Sequence, residues 1–129
     1  MARILLIDDD VDFRSMLRRT LQRAGYEVAE AGNGQEGLKQ LNESSIDLVL
    51  TDIIMPDMEG VETVMHLKRT RPELEVIVMS GGGRQTPDNY LKLASKVGAF
   101  RAFIKPFATA DFLEAVEAAL KPSQGLTEE

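Results

Sequence analysis

Side chains able to bind cations or phosphate follow four of the short apolar runs in this sequence. Residues 8–10 are three consecutive aspartates after the first run, and Asp52 lies just beyond a run over residues 46–50. Ser80 and Lys105 each follow a later run. If the carboxylates meet, they repel one another by about 1–4 kcal/mol per pair at about 4 Å, and protonation, a cation or both must offset that repulsion. Lys105 supplies one positive charge, and the pattern predicts a hard divalent cation bound by oxygen atoms for the rest.

Such a cluster is suited to phosphoryl transfer. Magnesium takes few carboxylate ligands and keeps coordination positions for water or a phosphoryl oxygen. A carboxylate held beside it can attack phosphorus and form an aspartyl phosphate. The metal, the Lys105 ammonium and the Ser80 hydroxyl would then surround the phosphoryl oxygens. Backbone N–H groups of residues 81–83, three consecutive glycines, could add anion contacts.

The elements that must position these residues alternate between two patterns along the chain. Strand-length apolar runs are separated by segments with helical periodicity, and each run is bounded by polar or turn residues. We expect Asp10 to cap the first helix and Thr109 to cap the last. The arrangement predicts an open, doubly wound α/β sheet of five parallel strands with helices on both faces, and ligands bind such sheets at the carboxyl ends of the strands. The predicted strands cover residues 3–7, 26–30, 46–50, 74–79 and 100–104.

Composition excludes several other classes of protein. The chain has 129 residues, the size of one domain, and its lack of cysteine excludes disulfides, thiolate zinc sites and cysteine nucleophiles. Its net charge of −6 argues against nucleic-acid binding by this chain, and its apolar runs are too short to span a membrane. We therefore expect a cytoplasmic domain over residues 1–121, followed by a frayed tail over residues 122–129.

The ordered motifs resemble the receiver domain of bacterial two-component response regulators, including the chemotaxis regulators, over residues 3–121. The resemblance implies a flavodoxin-like sheet with strand order 2-1-3-4-5. A receiver is a phosphoacceptor signalling domain and not an enzyme that turns over free metabolites. The motifs are Asp8-Asp9, then Asp52-Ile53-Ile54-Met55-Pro56 with Gly60 behind it, then Ser80, then Lys105-Pro106-Phe107.

The resemblance also implies a role for each site residue. Asp52 would be the phosphoacceptor. Asp8 and Asp9 would bind Mg²⁺, or alternatively Mn²⁺, together with Asp52 and the main-chain carbonyl of Ile54. Ser80 would donate a hydrogen bond to the phosphoryl group and Lys105 would pair with it. The peptide bond between Lys105 and Pro106 would be cis.

Partners follow from the same resemblance. The phosphoryl donor would be a sensor histidine kinase, acting directly or through a phosphotransfer protein. Phosphorylation would shift an existing inactive–active equilibrium and alter the face formed by the fourth helix, the fifth strand and the fifth helix. That face would signal to a downstream target, and a homodimer could form through it. The chain would be either a stand-alone regulator or the amino-terminal part of a longer one.

Three positions depart from the family pattern. Ala102 lies three residues before the lysine, where the family usually has a Tyr or Phe that rotates inward together with the Ser or Thr. Ile54 and Gly82 occupy positions that flank the phosphoryl group and often position an attacking water in relatives. Because neither side chain can orient water, we expect slow self-dephosphorylation.

Two alternative functions remain at this point. Asp8 and Asp10 after an apolar strand, with Ser80 and Lys105 later, also resemble the haloacid-dehalogenase phosphatases, in which Asp8 would be the nucleophile. That class expects a further acidic pair after the lysine, and only Asp111 is available. The glycines of residues 32–37 match a dinucleotide-binding fingerprint, but they follow the second strand, and a turn that enters a helix explains them without a nucleotide. The aspartate that carries phosphate would distinguish the receiver from the phosphatase.

Overall fold

Five strands alternate with five helices in the computed structural model, which describes residues 2–53, 60–80 and 87–121. Several predicted features lie outside the described residues: the Ile54 carbonyl, the glycines of residues 81–83, and the tail over residues 122–129. The strands are β1 (Arg3–Ile7), β2 (Glu27–Ala31), β3 (Leu48–Asp52), β4 (Glu75–Ser80) and β5 (Arg101–Ile104). The helices are α1 (Val11–Arg23), α2 (Gly34–Glu43), α3 (Gly60–Thr70), α4 (Pro87–Lys96) and α5 (Thr109–Leu120).

The strands form one parallel sheet in the order β2-β1-β3-β4-β5. The predicted topology is therefore confirmed. The strand β2 lies on one side of β1, and β3 lies on the other side of β1. The direction in which successive strands are added therefore reverses between β1 and β3. A crevice at the carboxyl ends of the strands is expected at this reversal. The register pairs Ile7 with Thr51, which makes Asp8 and Asp52 neighbours across the crevice.

Apolar side chains of the central strands alternate between two cores, one on each face of the sheet. On β1, Leu5 and Ile7 belong to the core beneath α2, α3 and α4, whereas Ile4 and Leu6 belong to the core beneath α1 and α5. All four residues are fully buried. Because both faces are covered, the strands are apolar along most of their length, which explains why their pattern was recognisable in the sequence.

Some element boundaries differ from the prediction. The third strand covers Leu48–Asp52 and not residues 46–50, because its ladder with β4 pairs Leu48 with Glu75 and Asp52 with Met79. Asp52 is thus the last residue of the strand itself. Asp10 caps α1 as predicted, since its side chain accepts a hydrogen bond from the Phe13 N–H. The prediction for Thr109 was wrong: Ala108 occupies the N-cap position of α5, and Thr109 is the first helical residue.

Gly60 allows α3 to begin directly against the segment that leaves β3. A Cβ atom at this position would overlap the backbone of Ile53, which is itself buried. The obstacle is backbone and not the flexible end of a side chain, so it cannot move aside cheaply. Glycine is therefore required sterically here, where the start of α3 lies against the residue that follows Asp52.

Candidate functional site

The carboxyl edge of the sheet brings three aspartates together. Asp8 follows β1, and Asp52 ends the neighbouring β3. Asp8 is fully buried and Asp52 is 5% exposed, whereas Asp9 is exposed. One carboxylate oxygen from each of the three residues lies within 4.8 Å of the others. The acidic cluster predicted from the sequence therefore forms, with two of its carboxylates withdrawn from solvent.

Lys105 joins the two buried carboxylates. Its Nζ donates to Asp8 Oδ2 at 2.8 Å and to Asp52 Oδ2 at 3.1 Å. The lysine follows β5 directly, and its backbone N–H donates to the Ser80 carbonyl at 2.7 Å. Ser80, the last residue of β4, is buried at the same edge. The structure thus brings Asp8, Asp52, Ser80 and Lys105 to the carboxyl ends of four strands.

The charge state of Lys105 depends on these contacts. Burial of the ammonium acts to lower its pKa, because desolvation disfavours the charged form. The hydrogen bond to Asp8 and the negative charges of Asp52 and Asp8 act in the opposite direction and outweigh burial, so the pKa of Lys105 lies above its ordinary value. The side chain is therefore an ammonium at neutral pH and neutralises part of the charge of the cluster.

Backbone groups and one arginine hold Asp8 in place. Its Oδ1 accepts from the Asp10 N–H at 2.9 Å, and its own carbonyl accepts from Arg14 Nη1 at 2.7 Å. Arg14 Nε also donates to Glu30 on β2 at 2.9 Å. Neither Arg14 nor Glu30 was predicted from the sequence. The available signal was the position of Arg14 one turn after the Asp10 cap, on the side of α1 that lies against β2.

Phe13 is a second residue next to the site that was not predicted from the sequence. Lys105 Nζ lies 4.1 Å from the centroid of its ring. The ring also meets Phe107 edge to face, with the centroids 5.8 Å apart and the planes at 89°. Helical periodicity places Phe13 on the inner face of α1, but such a pattern does not indicate contact with the lysine.

The three carboxylates fit a divalent cation by their chemistry. Carboxylate oxygens are hard ligands of the kind preferred by Mg²⁺ and Mn²⁺, and the exposure of Asp9 leaves an approach from solvent. The peptide bond between Lys105 and Pro106 is cis, as the resemblance implied. Ala102 lies on β5, where its side chain packs against the core beneath α2, α3 and α4.

Local geometry disfavours both alternative functions. Asn33 caps α2 by accepting from the Glu36 N–H at 2.9 Å, and the Glu36 carboxylate accepts from the Gly32 N–H at 2.9 Å. The glycine-rich segment is thus a turn that enters a helix. The Asp8 carboxylate is fully buried, and its two oxygens accept from Asp10 and Lys105. A phosphatase nucleophile at Asp8 would have to be freed from both contacts.

The described residues form a flavodoxin-like α/β domain with an acidic cluster at the carboxyl ends of its strands, and comparison with known proteins identifies the family. The family model for the response regulator receiver domain matches residues 4–117. The chain belongs to this family and is a receiver domain of two-component systems. Within the described residues, no helix combines the length and the apolar character needed to cross a bilayer.

Curated relatives include both short and long regulators. The chain is 36% identical over 115 residues to the chemotaxis protein CheY of Thermotoga maritima, covering 88% of this chain and 93% of that protein. It is 37% identical over 119 residues to the DNA-binding transcriptional regulator NtrC of Azospirillum brasilense, covering 92% of this chain. Only 24% of that NtrC is covered, so the chain spans about a quarter of the longer relative.

Solved structures agree with this assignment. A response regulator receiver domain protein from Clostridium thermocellum superposes with a TM-score of 0.87 at 32% identity, covering 98% of this chain and all of that one. The response regulator TrrA from Thermotoga maritima, in complex with Mg²⁺ and BeF, gives 0.82 at 31% identity, covering 93% of this chain and 100% of that one. The beryllofluoride-activated NtrC4 receiver domain dimer superposes with a TM-score of 0.83 at 32% identity, covering 93% of this chain and 97% of that one.

Proposed function

We propose that this receiver accepts a phosphoryl group on Asp52 in a reaction that depends on Mg²⁺. The observation that carries the proposal is the meeting of three carboxylates within 4.8 Å, two of them joined by Lys105. Asp52 ends the strand next to Asp8 and retains slight exposure, whereas Asp8 has none. Asp52 is therefore the buried carboxylate of this pair that a donor can approach.

The transfer is a displacement at phosphorus. A carboxylate oxygen of Asp52 attacks the phosphorus of a phosphohistidine, and a P–O bond forms as the P–N bond to the donor imidazole breaks. The electron pair of the broken bond leaves on the imidazole nitrogen. The product is a mixed anhydride of phosphate and the Asp52 carboxyl, which water later hydrolyses. The donor is a sensor histidine kinase or a phosphotransfer protein.

Each remaining site residue stabilises charge or holds a ligand. Asp8, Asp9, Asp52 and the Ile54 carbonyl are the proposed ligands of Mg²⁺, which when bound neutralises charge on the phosphoryl oxygens. The Lys105 ammonium pairs with a phosphoryl oxygen, and the Ser80 hydroxyl donates a hydrogen bond to another. Because the ammonium already lies 3.1 Å from Asp52, it needs only a small movement to reach a group attached there.

The signal leaves through the face formed by α4, β5 and α5. We propose that phosphorylation alters this face, with Ala102 and Pro106 at its junction with the site, and that a downstream target or a second copy of the chain binds it. The NtrC4 relative, a receiver domain solved as a beryllofluoride-activated dimer, supports the second possibility. The proposed domain covers residues 1–121, with residues 122–129 as a tail, and the proposed location is the cytoplasm.

Labelling of Asp52 tests the proposal. The protein is incubated with Mg²⁺ and radiolabelled acetyl phosphate, and the Asp52→Asn variant should take up no label while keeping the native circular dichroism spectrum. Asp111→Asn, an exposed aspartate in the first turn of α5, is the matched control and should label normally. Label that persists in Asp52→Asn and disappears in Asp8→Asn would refute the assignment and favour the phosphatase. Multiple turnovers of a small phosphate ester per protein molecule would do the same.

Slow loss of the phosphoryl group is a second part of the proposal. Ile54 and Gly82 carry no group that could orient an attacking water. The decay of label after removal of free acetyl phosphate measures the lifetime of the aspartyl phosphate. Introducing an amide and an acid with Ile54→Asn and Gly82→Glu should shorten that lifetime, and an unchanged lifetime would contradict this explanation.

A further inference from the structure

The Lys105 ammonium has an aromatic neighbour as well as two carboxylates. Its Nζ lies 4.1 Å from the centroid of the Phe13 ring, a distance typical of a cation–π contact. Asp8 and Asp52 accept from the same nitrogen at 2.8 and 3.1 Å. Only 15% of the lysine side chain is exposed, so the ring takes the place of water beside the charge.

A continuous series of contacts, which begins and ends at Asp8, fixes the Phe13 ring relative to the acidic cluster. Asp8 Oδ1 accepts from the Asp10 N–H, and Asp10 Oδ1 accepts from the Phe13 N–H at 3.1 Å. The Phe13 ring contacts Lys105, and Lys105 Nζ returns to Asp8 Oδ2. Since the Asp10 cap fixes the first turn of α1, it also fixes the position from which the Phe13 side chain extends. Movement of the lysine away from the site therefore requires loss of its contacts with both the Phe13 ring and Asp8.

The ring is supported from behind by further aromatic residues. Phe107 meets Phe13 edge to face and lies over Phe112 of α5 at 5.1 Å with an angle of 27°. Phe112 is fully buried. Phe107 lies two residues after Lys105. The Phe13 ring therefore contacts both the lysine and a second residue of the same short segment.

We propose that Phe13 is a positioning residue for Lys105: its ring holds the ammonium beside Asp52 before the phosphoryl group arrives. This inference rests on the proposed function. A lysine that is already ordered loses less side-chain freedom when it pairs with a phosphoryl oxygen, so binding of the group is favoured. An aliphatic side chain of similar size fills the space but offers no π face to the cation. Phe13→Leu should therefore leave the fold intact and remove the aromatic contact, so that only the carboxylates hold the ammonium.

The placement of the lysine is tested in the metal-free protein by NMR. Protons above an aromatic ring are shielded, so the Hε signals of Lys105, assigned with Lys105→Arg, should lie upfield of the other lysine signals. They should move to the ordinary position in Phe13→Leu and stay upfield in Phe13→Tyr, which keeps an aromatic face. Met16→Leu, on the exposed side of the same helix, is the matched control and should change nothing. Ordinary Lys105 shifts in the unsubstituted protein would overturn the inference.

The consequence for the phosphoryl site is tested with Mg²⁺ and beryllofluoride as the probe. Phe13→Leu should bind the probe about 3- to 10-fold more weakly, from the usual strength of cation–π contacts. Phe13→Tyr should restore binding to within about twofold, a rescue that a purely structural role of α1 would not give. Equal or tighter binding by Phe13→Leu would overturn the inference. Failure of the unsubstituted protein to bind the probe would instead refute the proposed function, and the NMR result would still report where the lysine lies.

Discussion

Replacing Lys105 with methionine should destabilise the metal-free protein, because it leaves two neighbouring buried carboxylates without their cation. Lys105 Nζ lies 2.8 Å from Asp8 Oδ2 and 3.1 Å from Asp52 Oδ2. At an effective dielectric constant of about 20, these contacts correspond to attractions of roughly 6 and 5 kcal/mol before any desolvation cost. Most of that attraction is offset by the cost of withdrawing three charged groups from water.

The expected net effect follows from how such groups respond when one partner is removed. Breaking a buried pair costs about 3–5 kcal/mol, because an uncompensated charge remains inside the protein. Here the lysine side chain is 15% exposed, so water already screens part of its charge and less is lost when it is removed. We therefore expect the free energy of unfolding to fall by about 2–4 kcal/mol at neutral pH in Lys105→Met.

Urea denaturation in the presence of EDTA measures this loss, with Lys39→Met on the exposed face of α2 as the control. Saturating Mg²⁺ should stabilise Lys105→Met more than the unsubstituted protein, because the metal would supply the missing positive charge to the same carboxylates. A variant as stable as the unsubstituted protein in EDTA at neutral pH would refute the reasoning, since the carboxylates would then not depend on the ammonium.

Two further predictions concern pH and backbone packing. The pKa of Lys105 is higher in the folded protein than in the unfolded chain, so its contribution to stability is fully present below about pH 10.4 and is lost as the pH rises through the folded value. Urea midpoints measured across this range should fall more steeply for the unsubstituted protein than for Lys105→Met, and parallel curves would contradict the assignment. Gly60→Ala should lower the free energy of unfolding by about 1–3 kcal/mol or more, since the new methyl group meets the Ile53 backbone. A near-neutral result in the same assay would mean that α3 can shift away from β3.

The sequence predicted an open parallel sheet because that architecture follows from general rules. Parallel strands covered on both faces must be apolar along their length, and five of them with helical connections favour an open, doubly wound sheet. Parallel connection also places every carboxyl end at one edge. Asp8, Asp52, Ser80 and Lys105 could therefore be grouped from their positions after strands, although the strand order itself came from the resemblance.

The residues that support the site could not be predicted in the same way. Arg14, Glu30 and Phe13 lie on α1 and β2, and their contacts depend on the rotation of α1 about its axis and on side-chain rotamers. Helical periodicity identifies a face to within one or two residues and does not specify which atom a long side chain reaches. Thr109 illustrates the same limit at a helix end, where a hydroxyl residue one position away from the N-cap gives the same sequence signal as a true cap.

The position of Ala102 follows from strand alternation. Consecutive residues of β5 point to opposite faces of the sheet: Ala102 and Ile104 pack against the core beneath α2, α3 and α4, whereas Phe103 packs with Phe112 of α5. The register pairs Ala102 with Val78 and Ile104 with Ser80, so Ala102 and Ser80 share a face. A one-residue slip would be needed to bring the Phe103 ring to that face, and it would move every side chain of β5 to the wrong core. Phe103 therefore cannot replace the aromatic residue that the family usually has at position 102, and a movement of Ser80 meets only small and aliphatic side chains of β5 on that face.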